Sequence, residues 1–141
     1  MAAKTKISEI GWGIEAGENR AAKFGKLVED IKAGRLVSYD SNKHIRKANS
    51  ATGAAGVLGK HYAVDLDTAI PSGYRGQIVT RGNVNIFCDD PDEDMEIGAP
   101  VYDTPTNAGI APWSAGGRVF GTIVDRVPDN DLVCKIWIDR G

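Results

Sequence analysis

The chain has little from which to build reactive chemistry. Its 141 residues include two cysteines, two histidines, and three each of tryptophan and phenylalanine. His44 and His61 lack a cysteine or second histidine at metal-ligand spacing. No Ser-His-Asp grouping can be assigned by role. Cys88 and Cys134 lie in apolar, strand-like runs and read as buried free thiols; a disulfide would need the two adjacent, which spacing does not show. No apolar run approaches the roughly 20 residues of a membrane helix. Lys4 and Lys6 have no apolar stretch behind them, so the start does not read as a secretory signal, and a cytoplasmic origin is the expectation. Residues Thr52–His61 glance at a phosphate loop, but Ala54 and His61 stand where that loop needs Gly and Ser or Thr, and a strand follows. Neither a catalytic group, a cofactor nor a metal is expected.

Glycine, in contrast, is abundant. Seventeen glycines are about 12% of the chain, against about 7% in average proteins. They recur in a pattern. Gly34-Arg35-Leu36-Val37-Ser38-Tyr39-Asp40 returns as Gly98-Ala99-Pro100-Val101-Tyr102-Asp103, and each copy leads through a polar stretch to a second β-type run. Those second runs open with Val57-Leu58-Gly59 and Val119-Phe120-Gly121. A repeated strand, loop and strand unit describes a small β-barrel or sandwich.

Charge is unevenly placed. Residues 1–47 hold ten Lys/Arg and six Asp/Glu, whereas residues 48–141 hold seven and thirteen. A basic arm before an acidic body suits contact with an acidic protein surface. Interspersed Glu9, Glu15, Glu18, Glu29 and Asp30 argue against nucleic acid. Gly11-Trp12-Gly13-Ile14 places a large aromatic in that arm, where it either folds back or docks on a neighbour.

Along the chain, Phe24, Leu27, Val28 and Ile31 fall on one face of a short helix over residues 20–33, stopped by Gly34. Strands are expected at Leu36–Asp40, Ile45–Ala48, Val57–Leu66, Gly76–Thr80, Val84–Cys88, Pro100–Asp103, Gly117–Val127 and Leu132–Ile138. Turn signals separate most of them, Arg81-Gly82-Asn83 included. The last strand reads as buried on both faces. The expected fold is therefore mainly β, a small barrel or sandwich over residues 33–141 behind an extended N-terminal arm, residues 1–32. Asp89-Asp90-Pro91-Asp92-Glu93-Asp94 could gather a Ca²⁺ but lacks the glycine and spacing of a calcium loop, and reads as a solvated connection.

Two resemblances add to this. Pro71-Ser72-Gly73-Tyr74-Arg75-Gly76 resembles a stretch of the trimeric, all-β dUTP pyrophosphatases, and Tyr62–Leu66 faintly resembles their Asp-Leu segment. Their phosphate-handling Arg-Ser-Ser is replaced here by Arg81-Gly82-Asn83. Residues 33–141 as a whole resemble the head-decoration, or cement, proteins of tailed bacteriophages. The resemblance rests on Gly34 and Val37, on Gly56, Val57 and Gly59, on Gly98 to Tyr102, on Gly117 to Val124, and on the closing Val133–Ile138. It implies a non-enzymatic virion protein, made in the host cytoplasm, that binds the outside of the mature capsid. Its partners would be the major capsid protein and its own copies, as a homotrimer or a dimer, with no membrane and no direct nucleic acid. Lys4, Lys6, Trp12, Ile14, Lys23, Phe24 and Lys26 are the expected capsid or neighbour contacts. The alternatives are a trimeric β-fold dUTP pyrophosphatase-like enzyme, against which the missing Arg-Ser-Ser argues, and another virion β-module of the tail or head accessory type.

Overall fold

In a computed structural model, the described residues are 3–11, 21–89, 94–103, 108–113 and 118–140. Nine strands form among them: β1 (Ala21–Leu27), β2 (Leu36–Tyr39), β3 (His44–Lys47), β4 (Gly56–Leu58), β5 (Arg75–Asp89), β6 (Pro100–Tyr102), β7 (Ala111–Pro112), β8 (Val119–Ile123) and β9 (Val133–Asp139). The chain is mainly β, as its composition predicts. The strand path runs β1-β3-β2-β4-β5-β9-β8-β6, and β1 also pairs with β5. That extra pairing closes β1 to β5 into a five-stranded barrel. Beyond it, β9, β8 and β6 extend an open antiparallel sheet, and β7 lies parallel to the end of β5.

The repeat seen in the sequence is a structural one. Gly34 and Gly98 have φ of +93° and +91°, values suited to glycine, each two residues before its strand. The repeat's valines then sit opposite glycines: Val37 faces Gly56, and Val101 faces Gly121. A Cβ on Gly121 would lie 2.6 Å from the Trp137 carbonyl oxygen, and one on Gly56 would strike the Val79 carbonyl. These close approaches seat β4 on β5 and β8 on β9. The equivalent of Gly121 is thus Gly56, three residues before the Gly59 that sequence spacing suggests.

Two cores result. Inside the barrel lie Leu27, Ile31, Val37, Ile45, Leu58, Ile70 and Ile78. The second core fills the space between the barrel's outer wall and the open sheet. It combines Leu36, Val57 and Val79 from the barrel with Ile86, Val101, Trp113, Phe120, Ile123, Ile136 and Ile138, among others. Alternation along the strands explains the division: Leu58 and Ile78 pair inward, Val57 and Val79 pair outward. Arg140 ties the halves. Its guanidinium donates to the Ala54 carbonyl at 2.7 Å, meets Asp103 Oδ2 at 3.1 Å and lies 5.0 Å from the Phe120 ring centre. Arg118 reaches the same buried Asp103 from outside at 3.5 Å.

Several expectations are corrected. The helix over residues 20–33 does not form; Ala21–Leu27 is a strand. Phe24 and Leu27 therefore point to opposite faces, one exposed and one fully buried. Gly25 lets β1 pass close against Tyr39 and the Lys43 carbonyl, and barrel closure outweighs the helical spacing. Arg81-Gly82-Asn83 is no turn: β5 runs through it, bending where Gly82 takes φ +120°, so one strand serves both sheets. The strand expected over 57–66 ends at Leu58. The final strand is not buried on both faces, since Lys135, Trp137 and Asp139 turn outward between Ile136 and Ile138. Cys88 and Cys134 are buried free thiols, and burial together with the hydrogen bond to Cys134 pushes the Cys88 thiol well above its ordinary pKa.

Candidate interaction surface

The expected contact residues fall in two places. Trp12 and Ile14 lie outside the described residues, as do residues 90–93 of the acidic cluster. Lys4 and Lys6 belong to an N-terminal segment that packs on the body. The Lys4 N–H donates to Asp131 Oδ1 at 2.9 Å, and its carbonyl accepts from the Leu132 N–H at 2.8 Å. Ile7, in a single 3-10 turn (Ile7–Glu9), is fully buried. Ser8 donates from its backbone to Asp67 at 3.0 Å and also from its hydroxyl. Those bonds hold the Asp67 carboxyl below its ordinary pKa. The carbonyls of Ile10 and Gly11 accept from the amide of buried Asn85 on β5. The arm is therefore anchored as far as Gly11.

Lys23, Phe24 and Lys26 stand on β1, at the barrel wall. Alternation sends Phe24 and Lys26 outward, where they face Gln77 and Arg75 of β5 in register. Lys23 turns the other way, its ammonium 5.9 Å from the centre of the Tyr39 ring, and the Tyr39 hydroxyl donates to the Phe24 carbonyl at 2.8 Å. Phe24, Arg75 and Gln77 line an open groove of about 520 Å³ with Gly59, Lys60, His61, Tyr62 and Gly76; Lys26, opposite Arg75, is not part of its lining. This is the same outer wall that carries Val57 and Val79, past the point where the open sheet covers it.

The groove's far wall is a short loop after β4. The Gly59 N–H donates to the Gln77 carbonyl at 2.7 Å. Lys60 Nζ donates to the carbonyls of His61 and Val64 at 3.2 and 3.3 Å, and the Ala63 N–H donates to His61 Nδ1 at 3.1 Å. Tyr62 stacks on His61 with ring centres 4.7 Å apart, and Tyr74 tilts against His61 at 5.3 Å. Tyr62 is 92% exposed and Phe24 55%. Lys26 and Arg75 face each other directly, and neither is ion-paired among the described residues. Like charges directly opposite on a sheet are unfavourable. Aromatic rings beside cations that lack ion-pair partners among the described residues, on a rigid wall, suit an acidic and partly apolar partner.

Of the residues expected at a contact, Phe24 lines this groove and Lys26 stands opposite Arg75 at its side; Tyr62, Tyr74 and Arg75 were not among those expected. Tyr62 fell in an expected strand, and Tyr74 and Arg75 in the stretch that resembles the dUTP pyrophosphatases. Residues Pro71–Tyr74 do form a turn, with Gly73 at φ +93°, and it feeds directly into β5. Among the described residues no group of three or more His, Cys, Asp or Glu side chains could hold a metal ion.

No protein-family model and no curated protein matches the chain. Solved structures do. A chain in the capsid of Myoviridae phage XM1 superposes with a TM-score of 0.64 at 15% identity, covering 99% of this chain and 90% of that one. The N base of head fiber gp8.5 in bacteriophage phi29 superposes with a TM-score of 0.56 at 16% identity, covering 87% of this chain and 97% of that one. The likeness to phage head proteins read from the glycine–valine pattern thus extends to the whole fold, which this chain shares with parts of two phage heads.

Proposed function

We propose that this protein is a structural component of a tailed-phage virion, a decoration or cement protein on the outer surface of the mature capsid, and that it catalyses no reaction. The carrying observation is the superposition on the XM1 capsid chain over 99% of the sequence. The partners are the major capsid protein and neighbouring copies, with a homotrimer as the assembly. Lys4, Lys6, Trp12 and Ile14 supply the capsid contact. The anchored start of the arm, up to Gly11, gives that contact a fixed base. Its mechanism is linkage. A ligand that binds only the expanded lattice stabilises it by RT ln(1 + [L]/Kd), about 2.7 kcal/mol per site at a hundredfold excess over Kd. Repeated over a shell, such terms oppose the outward pressure of packaged DNA.

The test is co-sedimentation with emptied mature heads and with unexpanded precursor heads of the phage that encodes the chain. Saturable binding to mature heads alone, weakened by Lys4→Glu with Lys6→Glu, is expected. Equal binding to both forms, or to neither, would reject the cement role. The phi29 likeness favours one second reading, an accessory head module that seats a fiber. It predicts binding at few sites per head instead of over the whole lattice.

A further inference from the structure

The molecule carries a second unexplained surface feature, and it matches the groove in chemistry. Residues Glu96–Ala99 form a tight turn, closed by the Ala99 N–H donating to the Glu96 carbonyl at 3.0 Å, with Gly98 at φ +91°. This puts Ile97 at the second position of the turn, where it is 70% exposed. A large aliphatic side chain gains nothing there within its own fold. Beside it the Glu96 side chain is 73% exposed, with Oε1 3.5 Å from Arg126 Nε, and Asp94 lies two residues back. The turn is held firmly. Met95 and Val127 exchange N–H···O bonds of 2.8 Å in both directions, and Gly98 donates to the Ile123 carbonyl at 2.9 Å. Asp94 also accepts from the Asp129 N–H at 2.6 Å and pairs with Arg126.

We infer that the Glu96–Ile97 turn of one copy docks into the Phe24–Tyr62–Arg75 groove of another. The apolar tip would enter between Phe24 and Tyr62, and the exposed Glu96 carboxylate would reach Arg75, sharing itself between that cation and its own Arg126. Charge and apolar character match on both sides, and each side is already rigid, so little ordering entropy is lost on contact. The turn leads into β6, at one end of the strand path, whereas the groove lies on β1 and β5 of the barrel. The contact joins two different patches, so it is heterologous and builds a ring or a chain of copies. It needs no capsid, so a failure of head binding leaves it standing.

Sedimentation velocity on the full-length protein over a wide concentration range tests this. The wild-type chain associates. Arg75→Glu and Ile97→Ser each weaken association about tenfold or more, while circular dichroism confirms that both remain folded. An equimolar mixture of these two variants has one intact groove and one intact turn, so it forms a dimer and stops there. Combining Arg75→Glu with Glu96→Lys in one chain restores much of the affinity. A monomeric wild type would overturn the inference, whether or not its groove is then covered by mature heads or by an oligothymidylate probe. So would association indifferent to both substitutions, or a variant mixture that stays monomeric.

Discussion

The barrel and the open sheet are built from the same repeated unit, yet they stand in unequal relation. Every residue of the barrel core comes from residues 27–78, within the barrel half. The second core borrows Leu36, Ala48, Ala54, Val57 and Val79 from that half. The barrel can close without the sheet, but the sheet has no inner face until the barrel supplies one. The difference also appears in chemistry. The fully buried residues of the barrel core are all aliphatic, with Tyr39 packed at its edge, whereas the second core is larger, holds Trp113, Phe120 and both cysteines, and has the Asp103–Arg140 pair at its margin. Exposed surface follows the same division: the aromatic and cationic groove is barrel wall that the open sheet leaves uncovered.

The largest expected effect is in the barrel. Ile78→Ala removes a fully buried side chain from β5 and should cost about 2–5 kcal/mol. Because β5 serves both sheets, chemical denaturation should show both halves failing together. Ile123→Ala, in the second core, should instead raise amide exchange in β6, β8 and β9 first while the barrel stays protected. Simultaneous loss in both halves for Ile123→Ala would contradict the hierarchy.

Arg140→Ala comes next. It leaves the buried Asp103 with only the outer, mostly exposed Arg118. Severing a buried pair costs about 3–5 kcal/mol, and the remaining arginine should keep the loss near the lower end. Thermal melts of Arg140→Ala, Asp103→Asn and the double variant measure the coupling directly.

Gly121→Ala pushes a Cβ onto the Trp137 backbone and should cost about 1–3 kcal/mol. The neighbouring comparison is Gly98→Ala, where nothing lies within 4 Å of the added carbon and only the positive φ resists. It should cost about 1 kcal/mol. If the two variants melt alike, the close seating of β8 on β9 is not what the repeated glycine provides.

The smallest effect is one of acidity. Hydrogen bonds from Ser8 lower the Asp67 pKa below the ordinary 3.8. The folded state thus gains from this carboxylate at every pH above 3.8, and the gain fades as pH falls through the lower folded value. Protection of the Ser8 amide relative to its intrinsic exchange rate should fall on acidification below about pH 4, and Asp67→Asn should remove that dependence.

Much of the fold was legible because it was written locally. The Gly-x-x-Val repeat located both units, and hydrophobic runs placed most of the strands in the body. The failures were those of tertiary closure. β1 reads as a helix because Phe24, Leu27, Val28 and Ile31 share a helical stripe; only the pairing of β1 with β5, fifty residues away, makes it a strand. Gly82 carries a turn signal, and nothing local says that it bends a continuous strand. The two-residue β7 leaves no periodic trace. For the contact surface, exposed position was the missing quantity. Tyr62 and Ile97 look like ordinary strand or loop residues until the fold leaves them in solvent. Lys4 suggested a loose basic arm, yet backbone bonds to Asp131 and Leu132 bind its segment to the body.

The proposed role is tested most directly by a difference map between cryo-electron reconstructions of mature heads with and without this protein. The account predicts regularly repeated density on the outer capsid surface that accepts the barrel and open sheet as one body. Density confined to the tail or the head interior, or no difference at all, would contradict it.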